Sequence, residues 1–188
     1  PHPKNGQPAT IPALTFRTLF LLLYGAGLRL GEALALTLDD VDLHTNMLLV
    51  RNTKFFKTRW VPIGPRLSSA LDLYADTRLA VIRRPPTRNA FLLRRDGIPI
   101  SLYTAERYFR ILRSRIGLRR SDRAYFQPRL HDLRHSFAVH RLVAWYRQGA
   151  DVQLLLPKLS TYLGHISLAE TQHYLTMTPD LLREAGRR

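Results

Sequence analysis

The sequence contains no cysteine. That excludes disulfides and thiolate metal sites, and fits a reducing compartment. It has no run of about 18 apolar residues, so no transmembrane helix is expected; the apolar stretch 19–24 lies inside a longer helical pattern. No secretory leader and no internal repeat is visible. The chain opens on Pro1-His2-Pro3 and not on Met, which suggests an excised fragment. Acidic residues number only 14, against 29 basic ones, and only four of the basic residues are lysines.

What is present is arginine. It supplies 25 positive charges in a chain of net charge +15. A guanidinium is a planar fork that matches phosphate geometry, whereas an ammonium is a point charge. An excess of this size points to a polyanionic partner, most simply nucleic acid. A merely solvated basic surface is the blander reading. The length of 188 residues with 45% apolar content fits one domain with a proper core.

Residues 1–9 read as a polar, proline-rich linker or tail, and 10–188 as the domain. Thr10 is expected to cap a first helix running to about Tyr24, broken by Gly25 and Gly27. A short helix follows over 30–36. Residues 47–51 and 59–63 read as two strands around a basic turn, with a third strand at 90–93. Helices are expected over 67–83, over 101–116 with Ser101 as cap and Leu102, Phe109, Leu112 and Ile116 inward, and over 130–145. Another begins near Asp151, disturbed by Pro157, and short ones cover 167–174 and 179–184. The fold class is mainly α with a small antiparallel β-sheet.

A few residues stand out for chemistry. Arg29 follows a glycine break, and Glu32, three residues on, can orient it. Read alone, Arg29 is a surface cap and Glu32 an architectural group. Lys54 and Lys57 share the strand turn, where an ammonium can donate a proton to a leaving oxygen. His131, Arg134 and His135 lie on one face at a helix start, a place that favours anions. Arg134 can fork two phosphate oxygens, His131 can relay a proton, and His135 packs or supports. The spacing in His-Asp-Leu-Arg-His is a weak echo of a zinc-protease pattern, but it lacks the glutamate and a third ligand. His165 follows Gly164, and Tyr174 comes nine residues later. A phenol nucleophile must lose its proton, and neighbouring cations favour the phenolate. Arg107, Arg110 and Arg113 recur every three residues along one helix face and, with Lys57 and Arg59, are candidate DNA contacts.

The segments GLRLGEALAL, KFFKTRWVPI, RLHDLRHSFA and LGHISLAETQHY stand in the order of the tyrosine recombinase, or phage integrase, family, and the chain resembles that family's catalytic domain over residues 10–180. The resemblance implies its fold, that of the DNA breaking-rejoining enzymes. It also implies roles. Arg29 and Arg134 clamp the scissile phosphate, Lys54 is the general acid with Lys57 as fallback, and His131 is the acid/base partner. His165 binds phosphate, and Tyr174 forms a 3′-phosphotyrosyl link. No metal, ATP or other cofactor is implied. The implied partners are duplex DNA and sister protomers in a synaptic tetramer, with the fragment a monomer away from DNA, no membrane, and a bacterial cytoplasmic, nucleoid-associated setting. Two departures stand out: Phe55-Phe56 replace the usual Gly and Asn of the turn, and 151–164 is longer than the common form, as in mobile-element members. The family's N-terminal DNA-binding domain is not represented. A type IB topoisomerase-like enzyme and a non-catalytic DNA-binding relative remain the alternatives.

Overall fold

The computed structural model describes residues 10–51, 58–120, 127–172 and 174. The expected helix over 179–184 and the turn bearing Lys54 and Lys57 lie outside the described residues.

Helix α1, Ala13–Gly25, starts after Pro12, not at Thr10. Ile11 precedes a proline, which disfavours helical backbone there, and the Pro12 carbonyl accepts the first bond from the Phe16 N–H at 2.9 Å. The helix ends at the glycine break. Gly27 has φ +62°, and a Cβ on it would lie 2.4 Å from Cδ1 of Phe137. Only glycine lets this turn press against the later helix. Helix α2, Leu30–Ala35, is entered through Arg29.

The sheet, among the described residues, has three antiparallel strands in sequence order: β1 Val41–Asp42, β2 Met47–Val50 and β3 Arg59–Pro62. Leu48 pairs with Val61 and Leu49 with Trp60. That register turns Leu48, Val50 and Val61 into the core and leaves Trp60 outside. The two-residue β1 is too short to leave an alternating pattern in the sequence. The strand expected at 90–93 is instead a pair of isolated bridges, Thr37 with Ala90 and Leu93 with Pro99.

Helix α3, Pro65–Thr77, buries Leu67, Leu71 and Tyr74, then tightens into a 3-10 turn over Arg78–Val81. Leu79 is exposed, so the helical pattern expected to 83 stops early. Helix α4, Leu102–Arg115, is capped as expected by Ser101, whose Oγ accepts from the Thr104 N–H. Its inward face is rotated from expectation: Ala105 is buried, Tyr108, Phe109 and Leu112 pack partly, and Leu102 and Ile116 are exposed. Phe16 of α1 meets Tyr108 edge-on and Phe20 meets Phe109 at a tilt, and these aromatic contacts fix the rotation.

Helices α5, Asp132–Arg147, and α6, Val152–Leu163, pack together, with α7, Leu168–Gln172, against the latter. Pro157 does not end α6. Val152, Leu156, Leu159 and Leu163 are buried on one side and hold the helix through the missing hydrogen bond. Among the described residues there are two hydrophobic clusters. One joins α1, α2, the sheet and α3; the other joins α5, α6 and Tyr174. Tyr162 packs against both, and the candidate site lies along the seam between them.

Candidate active site

The centre of the seam is a carboxylate. Glu32 sits in the first turn of α2 with its side chain 7% exposed. One oxygen accepts the Arg29 backbone N–H at 2.9 Å, and the other accepts Nη1 of the same residue at 3.0 Å. Arg59 reaches across from β3 and binds both oxygens at 2.9 Å, a bidentate fork. Arg134 stands 3.9 Å away. Burial alone would raise the Glu32 carboxyl; the bonds and charge of Arg59, then those of Arg29, outweigh it and hold it below the ordinary value.

The arginines are also tied to backbone carbonyls. Arg29 donates to the carbonyls of Leu163 and Gly164, at 3.4 and 2.7 Å. Arg134 is 1% exposed and donates to Gly27 and Leu163, at 2.7 and 2.6 Å. The glycine break before α2 and the C-terminus of α6 thus hold the two forks in place. A helix C-terminus offers partial negative charge, which suits cations. Burial, then the charge of Arg29, still lowers the Arg134 guanidinium to about 10, so it remains charged at neutral pH.

Gly164 has φ +68° at the end of α6, and its Cβ position would be 2.8 Å from Nη1 of Arg59. Gly164→Ala is expected to lose about 1–2 kcal/mol from the left-handed backbone alone and to push Arg59 off Glu32. A thermal melt checks the loss; Gly31→Ala, with nothing within 4 Å of its Cβ, is the control.

The aromatic half of the site begins at His131, just before α5. Its ring meets His135 edge-on at 4.6 Å. The His135 ring lies 5.4 Å from that of Tyr174, and the His165 ring stacks on Tyr174 at 5.8 Å and 25°. Tyr174 is 4% exposed. Burial raises its phenol; the Arg134 charge and hydrogen bond pull the other way. Shelter of the His131 ring, then the charges of His135 and Arg134, lower that imidazole.

His165 is lowered to about 4 by burial, then by Arg134, Arg29 and Arg59. Its folded value lies below its unfolded one, so the unfolded chain binds the extra proton between pH 6.5 and 4. Stability therefore falls as pH drops through that window. Glu32, whose carboxyl is also depressed, adds a further loss below the ordinary carboxylate value. Melting from pH 7.5 to 4 checks this, and His165→Gln should flatten the upper part of the fall.

The structure brings together Arg29, Arg134, His165 and Tyr174, with His131 one ring further out. Arg59, expected as a DNA contact, instead turns inward: its side chain is 14% exposed, and Nε donates to the Tyr162 carbonyl at 3.0 Å. The pull of a buried carboxylate and carbonyl explains the difference. Arg107 and Arg110 are exposed on α4; Arg113 is half-buried and donates to the Pro128 carbonyl at 2.7 Å, bracing the loop before α5. Thr171, missed in the sequence, holds Nδ1 of His165 with its hydroxyl at 2.8 Å.

The site is thus a buried phenol set against two anchored guanidiniums and a stacked imidazole, on a mainly helical domain with a small antiparallel sheet. Residues 5–180 match the phage integrase family, and the chain belongs to it. It is 44% identical over 175 residues to a Sinorhizobium fredii protein named as an integrase/recombinase, y4rE, spanning 93% of this chain and 55% of that one. It is 35% identical to tyrosine recombinase XerC of Oceanobacillus iheyensis, over 90% of this chain and 51% of the relative. The chain spans about half the length of these relatives. The crystal structure of XerA recombinase superposes with a TM-score of 0.70 at 26% identity, covering all of this chain and 65% of the other.

Proposed function

We propose that this chain is the catalytic domain of a site-specific DNA recombinase that cuts and rejoins duplex DNA through Tyr174. The observation that carries this reading is the buried phenol beside Arg134, a guanidinium that shares the Leu163 carbonyl with Arg29. A guanidinium has five N–H donors. The backbone and Glu32 bonds named above leave donors on both arginines for nonbridging phosphate oxygens.

Tyr174 Oη attacks the phosphorus, forming the 3′-phosphotyrosyl bond while the bond to the 5′ oxygen breaks. The phenol proton passes to His131, and Lys54 supplies a proton to the departing 5′ oxygen. An incoming 5′ hydroxyl reverses both transfers, so the phosphodiester bond energy is kept and no ATP is consumed. Fixed cations carry the charge stabilisation that a metal supplies elsewhere. Duplex DNA approaches a chain of net charge +15. Arg107, Arg110 and Lys57 are its candidate outer contacts, and Arg113 reaches the same groove as Arg110 and Arg119. Sister protomers assemble on the DNA.

The test incubates the protein with nicked suicide duplexes of randomised sequence and captures covalent adducts after denaturation. The expected adduct is a 3′-phosphotyrosine on the Tyr174 peptide and survives EDTA. An adduct lost in EDTA, or linked at another residue, would sink the mechanism.

A further inference from the structure

His165 is the imidazole assigned to the phosphate, and its usefulness depends on which ring nitrogen bears the proton. A neutral imidazole has one N–H and one lone pair, and the bond made at one nitrogen decides the state of the other. Here Nδ1 lies 2.8 Å from Oγ1 of Thr171. Thr171 is fully buried. Among the described residues the His165 ring is the one partner of that hydroxyl.

We propose that Thr171 is a positioning residue that fixes the tautomer of His165: its hydroxyl donates to Nδ1, so the proton stays on Nε2 and points toward a phosphate oxygen. The alternative pairing has Nδ1–H donating to Oγ1. It strands the threonine hydrogen in a buried place with no acceptor, the costly way to leave a polar group. In the chosen pairing every hydrogen of the two groups is used once DNA arrives. The ring is also fixed in direction. One edge is held by Thr171, its face lies on Tyr174 at 5.8 Å, and the edge turned away from Thr171 carries Nε2. The imidazole also stays neutral across the working range of pH, so it serves as a hydrogen-bond donor and not as a cation.

The proposal rests on the recombinase reading of His165, and the test separates the two. The chain labelled with 15N-histidine is examined by two-bond proton–nitrogen correlation, with His165→Gln assigning the signal. The expected spectrum shows His165 as a single Nε2–H tautomer. Thr171→Val, which keeps the shape and removes the hydroxyl, should shift it to a mixture; Thr171→Ser should restore it. In the suicide-duplex assay Thr171→Val should slow adduct formation at saturating DNA about 10- to 100-fold, the scale of a weakened transition-state donor, with little change in DNA binding and recovery in Thr171→Ser. A wild-type spectrum showing Nδ1–H, or a Thr171→Val spectrum unchanged from wild type, overturns the proposal. A tautomer shift with an unchanged adduct rate overturns its catalytic consequence. Full activity in His165→Ala overturns the reading beneath it, whatever the spectra show. If Thr171→Val fails to fold, the wild-type spectrum and the Thr171→Ser rate still decide.

Discussion

In Tyr174→Phe the covalent adduct is expected to disappear while DNA binding persists. The substitution removes one oxygen from a ring that is 4% exposed and packed between His135 and His165. Phenylalanine keeps the tilted contact with His135 and the stack on His165, so the fold should hold. What is lost is the only oxygen that the proposed chemistry places on phosphorus. Removal of a nucleophile in other enzymes costs on the order of a million-fold, which here means no adduct on any practical timescale. Denaturing gels of the suicide-duplex reaction measure the adduct, and mobility shift at low salt measures binding. An adduct that survived Tyr174→Phe would require another nucleophile, and the phosphotyrosyl mechanism would be abandoned. The same gels bear on the phenol proton. Burial holds Tyr174 above its ordinary value, so the resting group is a phenol, and its attack needs the proton removed as the bond forms.

Glu32→Ala is expected to cost about 3–5 kcal/mol of stability, the range for stripping one partner from a buried ion pair. The carboxylate faces three guanidiniums, from Arg29, Arg59 and Arg134. Without it, Arg134 at 1% exposure and Arg59 at 14% are left as like charges with no counter-ion among the described residues. In a chain of this length the loss corresponds to a fall of about 10 °C in melting temperature. Glu32→Gln should fall less, because an amide oxygen still accepts one of the bonds. Arg59→Ala should also destabilise, and the double variant should lose less than the sum of the singles, since each removes the other's partner. Additive losses in that cycle would contradict the bidentate pair.

The fold was largely legible because its helices carry strong local signals. Ser101 before α4, the glycines after α1 and Asp151 at the start of α6 are signals of this kind. The misses have local causes too. Ile11 before a proline delays α1, and the two residues of β1 are too few to show alternation. The site divides differently. Arg29, Arg134, His165 and Tyr174 stood out as residue types in an order, and the structure sets them side by side. Glu32 as the common counter-ion was not legible, nor was the inward turn of Arg59. Those facts belong to pairings 27 residues or more apart, and hydropathy patterns carry no record of which guanidinium will find which carbonyl. Thr171 was hidden for a simpler reason. A threonine on a short helix looks the same whether it faces water or a histidine.

The two forks of the clamp are fastened by bonds that span 107 and 135 residues, from Arg134 to Gly27 and from Arg29 to Gly164. Contacts so far apart in sequence form only after long loops have closed, and they come late in folding. A half-unfolded chain therefore has its tyrosine but nothing fixed in place to hold a phosphate against it. The proposed clamp thus belongs to the late, long-range part of folding. Under the proposed chemistry, an unfinished fold lacks the means to cut DNA, a safeguard written into topology and not into any inhibitor.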